Sequence, residues 1–350
     1  MMPLASSRPD QPFVSVVIPI RNEEAFIADT LDSILHQDYP AERVEIIVAD
    51  GMSTDRTRQI VKEHSEQYPR LRLIDNPARV TPNALNAAIA AARGEIIARI
   101  DGHCRVAPDF ISQNVRLLAE HPEAWVVGGP IVHVGTTVFG KAAAIAMSHP
   151  LGVGMALHRF PNFEGYVDTV TFPTFRRSVF DRIGLFDTNL VRTEDDELSF
   201  RIEQAGGKMF VSPRVRYVYF VRSRLPQLFR QFFQYSFWRI PVMRKHKQPT
   251  TVRQIIPLLF FLLVVALAIA GLAMNQPLIA VALPAAYVTA MTVLGLSLVR
   301  KHGWTIAALS ATAVVVMHVA YAMGMGYGLL AAALRVRAWE IDGTMSALSR

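Results

Sequence analysis

Apolar runs of strand length alternate with amphipathic stretches of helical length through the first part of the chain. Val14–Ile20 is rich in β-branched residues and reads as a buried strand. Residues 23–37 then place Phe26, Ile27, Thr30, Leu31, Ile34 and Leu35 at helical spacing. The alternation continues with strands at 44–48, 71–74 and 95–100 and helices at 55–67 and 81–92. A helix near 108–120 and a strand near 125–130 extend it. Such repetition predicts an α/β domain whose mostly parallel sheet is covered by helices on both faces. Residues 131–193 show no clear period and are rich in Gly, Pro and aromatic residues; long irregular stretches of this kind often carry function. Residues 195–205 read as a helix and 208–220 as strands.

The pattern then changes. Residues 225–247, LPQLFRQFFQYSFWRIPVMRKHK, mix aromatics with Arg and Lys, which suits a helix lying at a membrane surface, or an amphipathic helix packed on the domain. Residues 255–299 carry no Asp, Glu, Lys or Arg, nor do 304–334, where His318 is the titratable group of note. A 45-residue uncharged run exceeds one span of about 20 residues. Asn275-Gln276-Pro277 divides it, giving expected spans near 255–274 and 278–299, and a third near 304–330 follows the basic turn Arg300-Lys301-His302-Gly303. The expected organisation is a tail at 1–12, the α/β domain at 13–222, a basic aromatic interfacial segment at 223–253, a transmembrane anchor at 254–334 and a tail at 335–350.

By the positive-inside rule Arg253 and Arg300-Lys301 are cytoplasmic and 275–277 lies outside, which puts the α/β domain in the cytoplasm. Arg335 and Arg337 follow the third span and oppose this, so the side holding the C-terminus stays open. Gly324, Gly326 and Gly328 in the last span read either as a close helix contact or as the ordinary tolerance of membrane helices for glycine.

Composition sharpens the picture. Hydrophobic residues make up 51% of the chain, and the mean hydropathy is +0.25. The net charge is +7, with the basic residues bunched between Arg222 and Arg253, ahead of the apolar segment. That placement favours lipid headgroups over nucleic acid. The single cysteine, Cys104, excludes an internal disulfide, and nothing points to an oxidising compartment. The N-terminus lacks a basic region followed by an apolar core, so no signal peptide is expected.

In open α/β sheets ligands bind outside the carboxyl ends of the strands. Four polar clusters fall at such ends or near them. Pro19-Ile20-Arg21-Asn22-Glu23-Glu24 follows the first strand; these groups either hold a base or ribose, or Asn22 or Glu23 caps the next helix. Asp50-Gly51-Met52-Ser53-Thr54-Asp55 follows the second, with Asp50 placed to accept from a nucleoside and Ser53, Thr54 or Asp55 placed to cap a helix. Asp101-Gly102-His103 follows the strand at 95–100. It can face a divalent cation that neutralises a diphosphate, or form a turn whose Asp bonds its own backbone. Glu194-Asp195-Asp196-Glu197 opens a helix, where acids are stabilised by the dipole and crowding suits a general base. No G-x-G-x-x-G follows the first strand, which argues against a dinucleotide-dependent dehydrogenase.

The order of these clusters resembles the inverting GT-A glycosyltransferases of family 2, over about residues 13–240. VSVVIPIRNEE is similar to that family's opening strand and turn, EIIVADGMSTDRT to its nucleoside-aspartate strand, NALNAAIAAARGEIIARIDGH to the approach to its Asp-x-Asp motif, and TEDDELSFRI to its Glu-Asp motif. Within the family, Asp-Gly-His with a three-span tail is similar to the succinoglycan-type exopolysaccharide enzymes. The resemblance implies that Pro19, Arg21, Glu23, Asp50 and Asp101 bind the nucleotide-sugar. It implies that Asp101 and His103 hold Mg²⁺ or Mn²⁺, and that Asp195 is the general base with Glu194 beside it. His103 replaces the usual second aspartate, which leaves the identity of the metal open. Gln234-Tyr235-Ser236-Phe237-Trp238 departs from the Gln-x-x-Arg-Trp of processive synthases at Phe237, implying one sugar added per acceptor.

The implied reaction moves one sugar from a UDP-sugar to a polyprenyl-linked glycan, in exopolysaccharide or cell-surface glycan synthesis at the inner membrane. The rival readings are a synthase that charges free polyprenyl phosphate and a non-catalytic membrane assembly subunit. Expected partners are the nucleotide-sugar, the lipid-linked acceptor and the membrane, with a second copy or other glycan-assembly proteins compatible and nucleic acid excluded.

Overall fold

The computed structural model describes residues 11–247 and 252–334. The expected tail at 335–350, and all but the end of that at 1–12, lie outside the described residues. The chain divides into two compact units that are discontinuous in sequence. The first runs to Pro130 and adds Asn162–Asn189 and Leu198–Val218; the second comprises Ile131–Pro161, Leu190–Glu197 and the chain from Tyr219 onward.

In chain order the elements are β1 (Val14–Ile20), α1 (Ile27–Leu35), β2 (Val44–Asp50), α2 (Thr57–Gln67), β3 (Leu71–Asp75), α3 (Thr81–Ala91), β4 (Ile96–Arg99), β5 (Arg105–Val106), α4 (Phe110–Glu120) and β6 (Ala124–Gly128). There follow β7 (Val132–Val134), α5 (Val138–Met147), α6 (Pro150–Val153), β8 (Gly165–Val167), β9 (Thr174–Arg176), α7 (Ser178–Ile183), α8 (Glu194–Gln204), β10 (Lys208–Val211) and β11 (Tyr217–Phe220). The last elements are α9 (Leu225–Phe237), α10 (Arg239–His246), α11 (Ile256–Ala273) and α12 (Pro277–Ala333).

The first unit is built on a sheet of order β3-β2-β1-β4-β9-β6-β10-β8. β2, β3 and β4 pair parallel with their neighbours around β1, and β6 pairs parallel with β10. β9 runs antiparallel between β4 and β6, and β8 antiparallel at the edge. The sheet is therefore mostly parallel, as the α/β alternation predicts, and β1 and β2 are buried along almost their whole length. Alternate residues Val17, Ile47, Ala49 and Ile97 pack under α3 through Ala84, Leu85, Ala88 and Ile89. Pro19 is tolerated inside β1 because pairing with β4 ends at Val17, so its missing N–H faces no partner on that side.

The second unit is helical. α12 is continuous except at Gly303, whose φ of 77° breaks the helix and folds its two arms together. Tyr287 and His318 hydrogen-bond across the arms at 2.9 Å, and a Cβ on Gly295 would sit 3.7 Å from the Ala311 Cβ. α11 runs beside the first arm, Phe260 lying 5.2 Å from the Tyr287 ring. Gly324 is the close contact left open by the sequence: a Cβ there would fall 2.2 Å from the Phe233 carbonyl of α9. Gly328 likewise meets Ile240 of α10, whereas Gly326 makes only ordinary contact with Leu258. Two helices, α11 and α12, are long and apolar enough to cross a membrane. Leu259, Leu262, Leu263, Val265, Ile269, Leu272, Leu278, Val281 and Val288 stand exposed on them.

Candidate active site

The strand order places a topological switch at β1, whose chain neighbours β2 and β4 lie on opposite sides of it. The crevice at such a point opens outside the carboxyl ends of the strands. Three predicted clusters emerge there and are laced together. In the loop after β1, Asn22 takes a left-handed φ of 55°, which an asparagine tolerates. Its N–H donates to Ser53 Oγ at 2.8 Å, and its side-chain oxygen accepts from Thr54 N at 2.9 Å. Glu23 N donates to Thr57 Oγ1 at 2.8 Å. Neither Asn22 nor Glu23 caps α1 with its side chain; the N-cap position of α2 is Arg56, without a side-chain bond, and Asp55 just before it accepts from Thr57 N at 3.0 Å.

Asp50 is fully buried. Its carboxylate accepts from Ser53 N at 3.0 Å and Ser53 Oγ at 2.5 Å, and is ion-paired with Arg58 at 2.5 Å. Arg58 also reaches Asp75, at 2.7 Å. Asp50 therefore shapes the loop after β2, and Arg58 is a residue that sequence reasoning missed. Its only signal was a position in the first turn of α2, next to the loop after β2.

Asp101 and His103 project from the turn after β4. The turn closes by Cys104 N donating to the Asp101 carbonyl at 3.1 Å, while the Asp101 carboxylate accepts from Arg99 Nε at 3.1 Å. His103 Nδ1 meets Glu23 Oε1 at 3.1 Å, joining this turn to the loop after β1. Only glycine fits at 102, where a Cβ would lie 2.6 Å from Ile20 Cγ2. Arg21 lies against Gly51, so Arg21, Glu23, Asp101 and His103 all belong to the one rim. Among the described residues no three His, Cys, Asp or Glu side chains are placed to hold a metal ion on their own. A carboxylate and an imidazole from one exposed turn do fit a cation that takes its other ligands from phosphate oxygens. Glu23 at Nδ1 is then placed to orient that ring.

The fourth cluster opens α8 and lies in the second unit. Thr193, just before it, has a φ of 63°, a strained value for a β-branched residue, and its hydroxyl donates to the Trp238 carbonyl at 3.1 Å. The four acids have different surroundings. Glu197 is fully buried and paired with Lys245 at 2.7 Å and His246 at 3.0 Å. Asp196 pairs with Arg239 at 2.9 Å. Glu194 is buried beside Arg192, whose guanidinium burial pulls below its ordinary value. Asp195 is half-exposed and accepts one bond, from Asp196 N at 2.9 Å, with no cation beside it among the described residues. Nothing in the spacing of four identical charges signalled this difference.

A mostly parallel α/β sheet whose polar loops gather at a switch point, followed by an acid-opened helix, defines a glycosyltransferase of the GT-A kind. The chain belongs to glycosyltransferase family 2: the profile described as "Glycosyl transferase family 2" matches residues 15–184. The succinoglycan biosynthesis protein ExoA of Rhizobium meliloti (strain 1021) is 31% identical over 246 residues, covering 69% of this chain and 74% of that protein. The dolichyl N-acetyl-alpha-D-glucosaminyl phosphate 3-beta-D-2,3-diacetamido-2,3-dideoxy-beta-D-glucuronosyltransferase of Methanococcus voltae is 28% identical, covering 67% of this chain and 74% of that protein. Among solved structures, a mannosyltransferase from Pyrobaculum calidifontis in complex with GDP-Man and Mn²⁺ shares the fold with a TM-score of 0.58 and 22% identity, covering 89% of this chain and 87% of that one.

Proposed function

We propose that the chain is an inverting glycosyltransferase that moves one sugar from a UDP-sugar to a polyprenyl-linked glycan in exopolysaccharide or cell-surface glycan synthesis. The observation that carries this reading is the sorting of the α8 acids. Three are buried against or paired with cations, and Asp195 alone keeps an accessible carboxylate without a cationic partner among the described residues. As general base, Asp195 takes the proton of the acceptor hydroxyl while that oxygen bonds to the anomeric carbon. The bond from that carbon to the donor diphosphate breaks, and attack from the opposite face inverts the configuration. Pro19, Arg21, Glu23 and Asp50 are assigned to the nucleoside, with Asp101 at the diphosphate. Asp101 and His103 are assigned to Mg²⁺ or Mn²⁺, which when bound neutralises the leaving charge. The Pyrobaculum enzyme, solved with GDP-Man and Mn²⁺, supports a cation and a nucleotide-sugar here.

A lipid-linked acceptor is supported by the apolar helices and by the Methanococcus relative, whose name carries a dolichyl phosphate. At 1.5 Å per residue, the 57 residues of α12 would run roughly 85 Å, far beyond a hydrocarbon core of about 30 Å. The fold-back at Gly303 supports two spans there, hence three in all, in an inner membrane with the catalytic domain on the cytoplasmic side. Phe237 stacks 5.7 Å from Tyr327 where processive synthases carry Arg, which supports transfer of a single sugar.

The test is Asp195→Asn in detergent-solubilised full-length protein supplied with extracted lipid. Release of nucleoside diphosphate is expected to slow by about 10²–10⁴ in kcat, with nucleotide binding retained. Near-normal turnover would remove Asp195 from the role.

A further inference from the structure

The second unit gathers more positive charge than its own acids balance. Arg159, Arg239 and Arg253 are the charged neighbours of His158, and the same three, with Asp196, surround Tyr321. Arg192 has Arg222 and Arg230 beside it, with Glu194 and Tyr235. Tyr219 joins the two groups, with Arg159 and Arg222 as neighbours. Six guanidinium groups thus share a neighbourhood with Glu194 and Asp196.

Mostly enclosed yet partly accessible side chains give this neighbourhood the form of a recess. Gln231 Nε2 donates to Tyr235 Oη at 2.8 Å and to Tyr219 Oη at 3.3 Å, and the His133 ring meets Tyr219 edge-on at 5.9 Å. Protein surrounds Arg192, Tyr219 and Tyr321, yet each keeps part of its surface accessible, as wall residues do. Two buried ring nitrogens, each able to carry its imidazole's proton, have no protein partner: His158 Nδ1 and His133 Nε2. His158 is only 5% exposed. Burial, with the charge of Arg159, drives His133 down to about 3 and His158 well below its ordinary value, so both rings are neutral and able to bond oxygen. Crowded cations and unmet polar atoms in one enclosure are costly unless an oxygen-rich anion enters it.

The depth of the recess names the source of that anion. Arg253 stands just ahead of α11, and Tyr321 lies on the second arm of α12, beside the start of α11, where Leu258 meets Gly326. The recess therefore lies against the apolar helices, within reach of an anion carried on a lipid.

We propose that this recess holds the phosphate or diphosphate of the lipid-linked acceptor, with Arg159, Arg192 and Arg239 as its cationic wall and Tyr219 and Tyr235 as hydroxyl donors. The assignment rests on the acceptor class put forward above and gives that acceptor's anion a place.

The test uses full-length protein in detergent, with farnesyl phosphate, inorganic phosphate and UDP as separate probes. Farnesyl phosphate is expected to bind more tightly than inorganic phosphate and to weaken with salt. Arg159→Gln and Arg192→Gln are each expected to raise its Kd about tenfold or more, the worth of one charge-assisted bond, while the Kd of UDP changes less than twofold. Tyr219→Phe, which keeps the packing, is expected to shift farnesyl phosphate alone. Unchanged farnesyl phosphate binding in these variants would overturn the proposal. So would a loss confined to UDP, which would assign the recess to the donor. Arginine-dependent binding of farnesyl phosphate in a preparation that transfers no sugar would support the recess while removing the transfer reading.

Discussion

The acid of greatest structural consequence in the first unit is Glu45, which the motif reading passed over. It is fully buried, and its carboxylate accepts from Ser15 Oγ and Arg93 N, both at 2.7 Å, and from Arg72 at 3.0 Å. Burial pushes its carboxyl up, but the bonds from Ser15 and Arg93 and the charges of Arg93 and Arg72 outweigh that and hold it below 4.5. A group depressed in the folded state stabilises above its unfolded value, and that stability is lost as pH falls through the folded one. Glu45→Gln is expected to cost about 3 kcal/mol, the penalty for breaking a buried pair. Thermal unfolding should also depend less on pH below 4.5 in the variant than in the parent. Residues that sit at strand ends, such as Asp50 and Asp101, were legible in the sequence because the α/β alternation fixes where strands stop. Residues whose role depends on a distant partner were not. Glu197 shares its charge with Asp195, and only the approach of Lys245 and His246 from α10 separates their fates.

At the scale of elements, periodic segments were legible to within a few residues and short ones were not. β1 to β4 and α1 to α4 carry enough apolar repeat to declare themselves. The stretch at 131–193 hid α5, because VFGKAAAIAM is apolar apart from Lys141 and so has a weak amphipathic signal. It hid β9 as well, since three residues directly after Pro173, the last of them in the Arg176-Arg177 pair, show no alternation. The glycines of α12 gave a pattern with two readings. Gly324 has a specific packing role, because α9 approaches so closely that a Cβ would meet the Phe233 carbonyl and Ser236 Oγ. Gly324→Leu is therefore expected to push α9 off α12 and lower stability by about 3 kcal/mol or more, overpacking with little room to yield. Gly326→Leu, facing only Leu258 in ordinary contact, should cost much less; paired thermal unfolding curves in detergent decide between them.

For the whole molecule, the clearest prediction concerns sidedness. Cys104 is the single cysteine, 2% exposed, with its thiol pushed well up by burial and by the charge of Asp101, so it stays silent to thiol reagents. Asn275→Cys should then label from outside intact cells with a membrane-impermeant maleimide, and Lys301→Cys only after the membrane is opened. Equal labelling of both from outside would remove the three-span arrangement. Composition showed where the apolar helices lie. It gave no sign that Ile131–Pro161 and Leu190–Glu197 join them in one compact unit. The strand β9 also bears on how the protein is made. It supplies the rung joining β3-β2-β1-β4 to β6-β10-β8, yet it leaves the ribosome roughly 75 residues after β4. At about 5–20 residues per second, β4 therefore waits some seconds with a bare flank before its neighbour is even synthesised. A nascent chain in that interval holds a ready template for foreign strands, so shielding during translation is a need built into the order of the sheet.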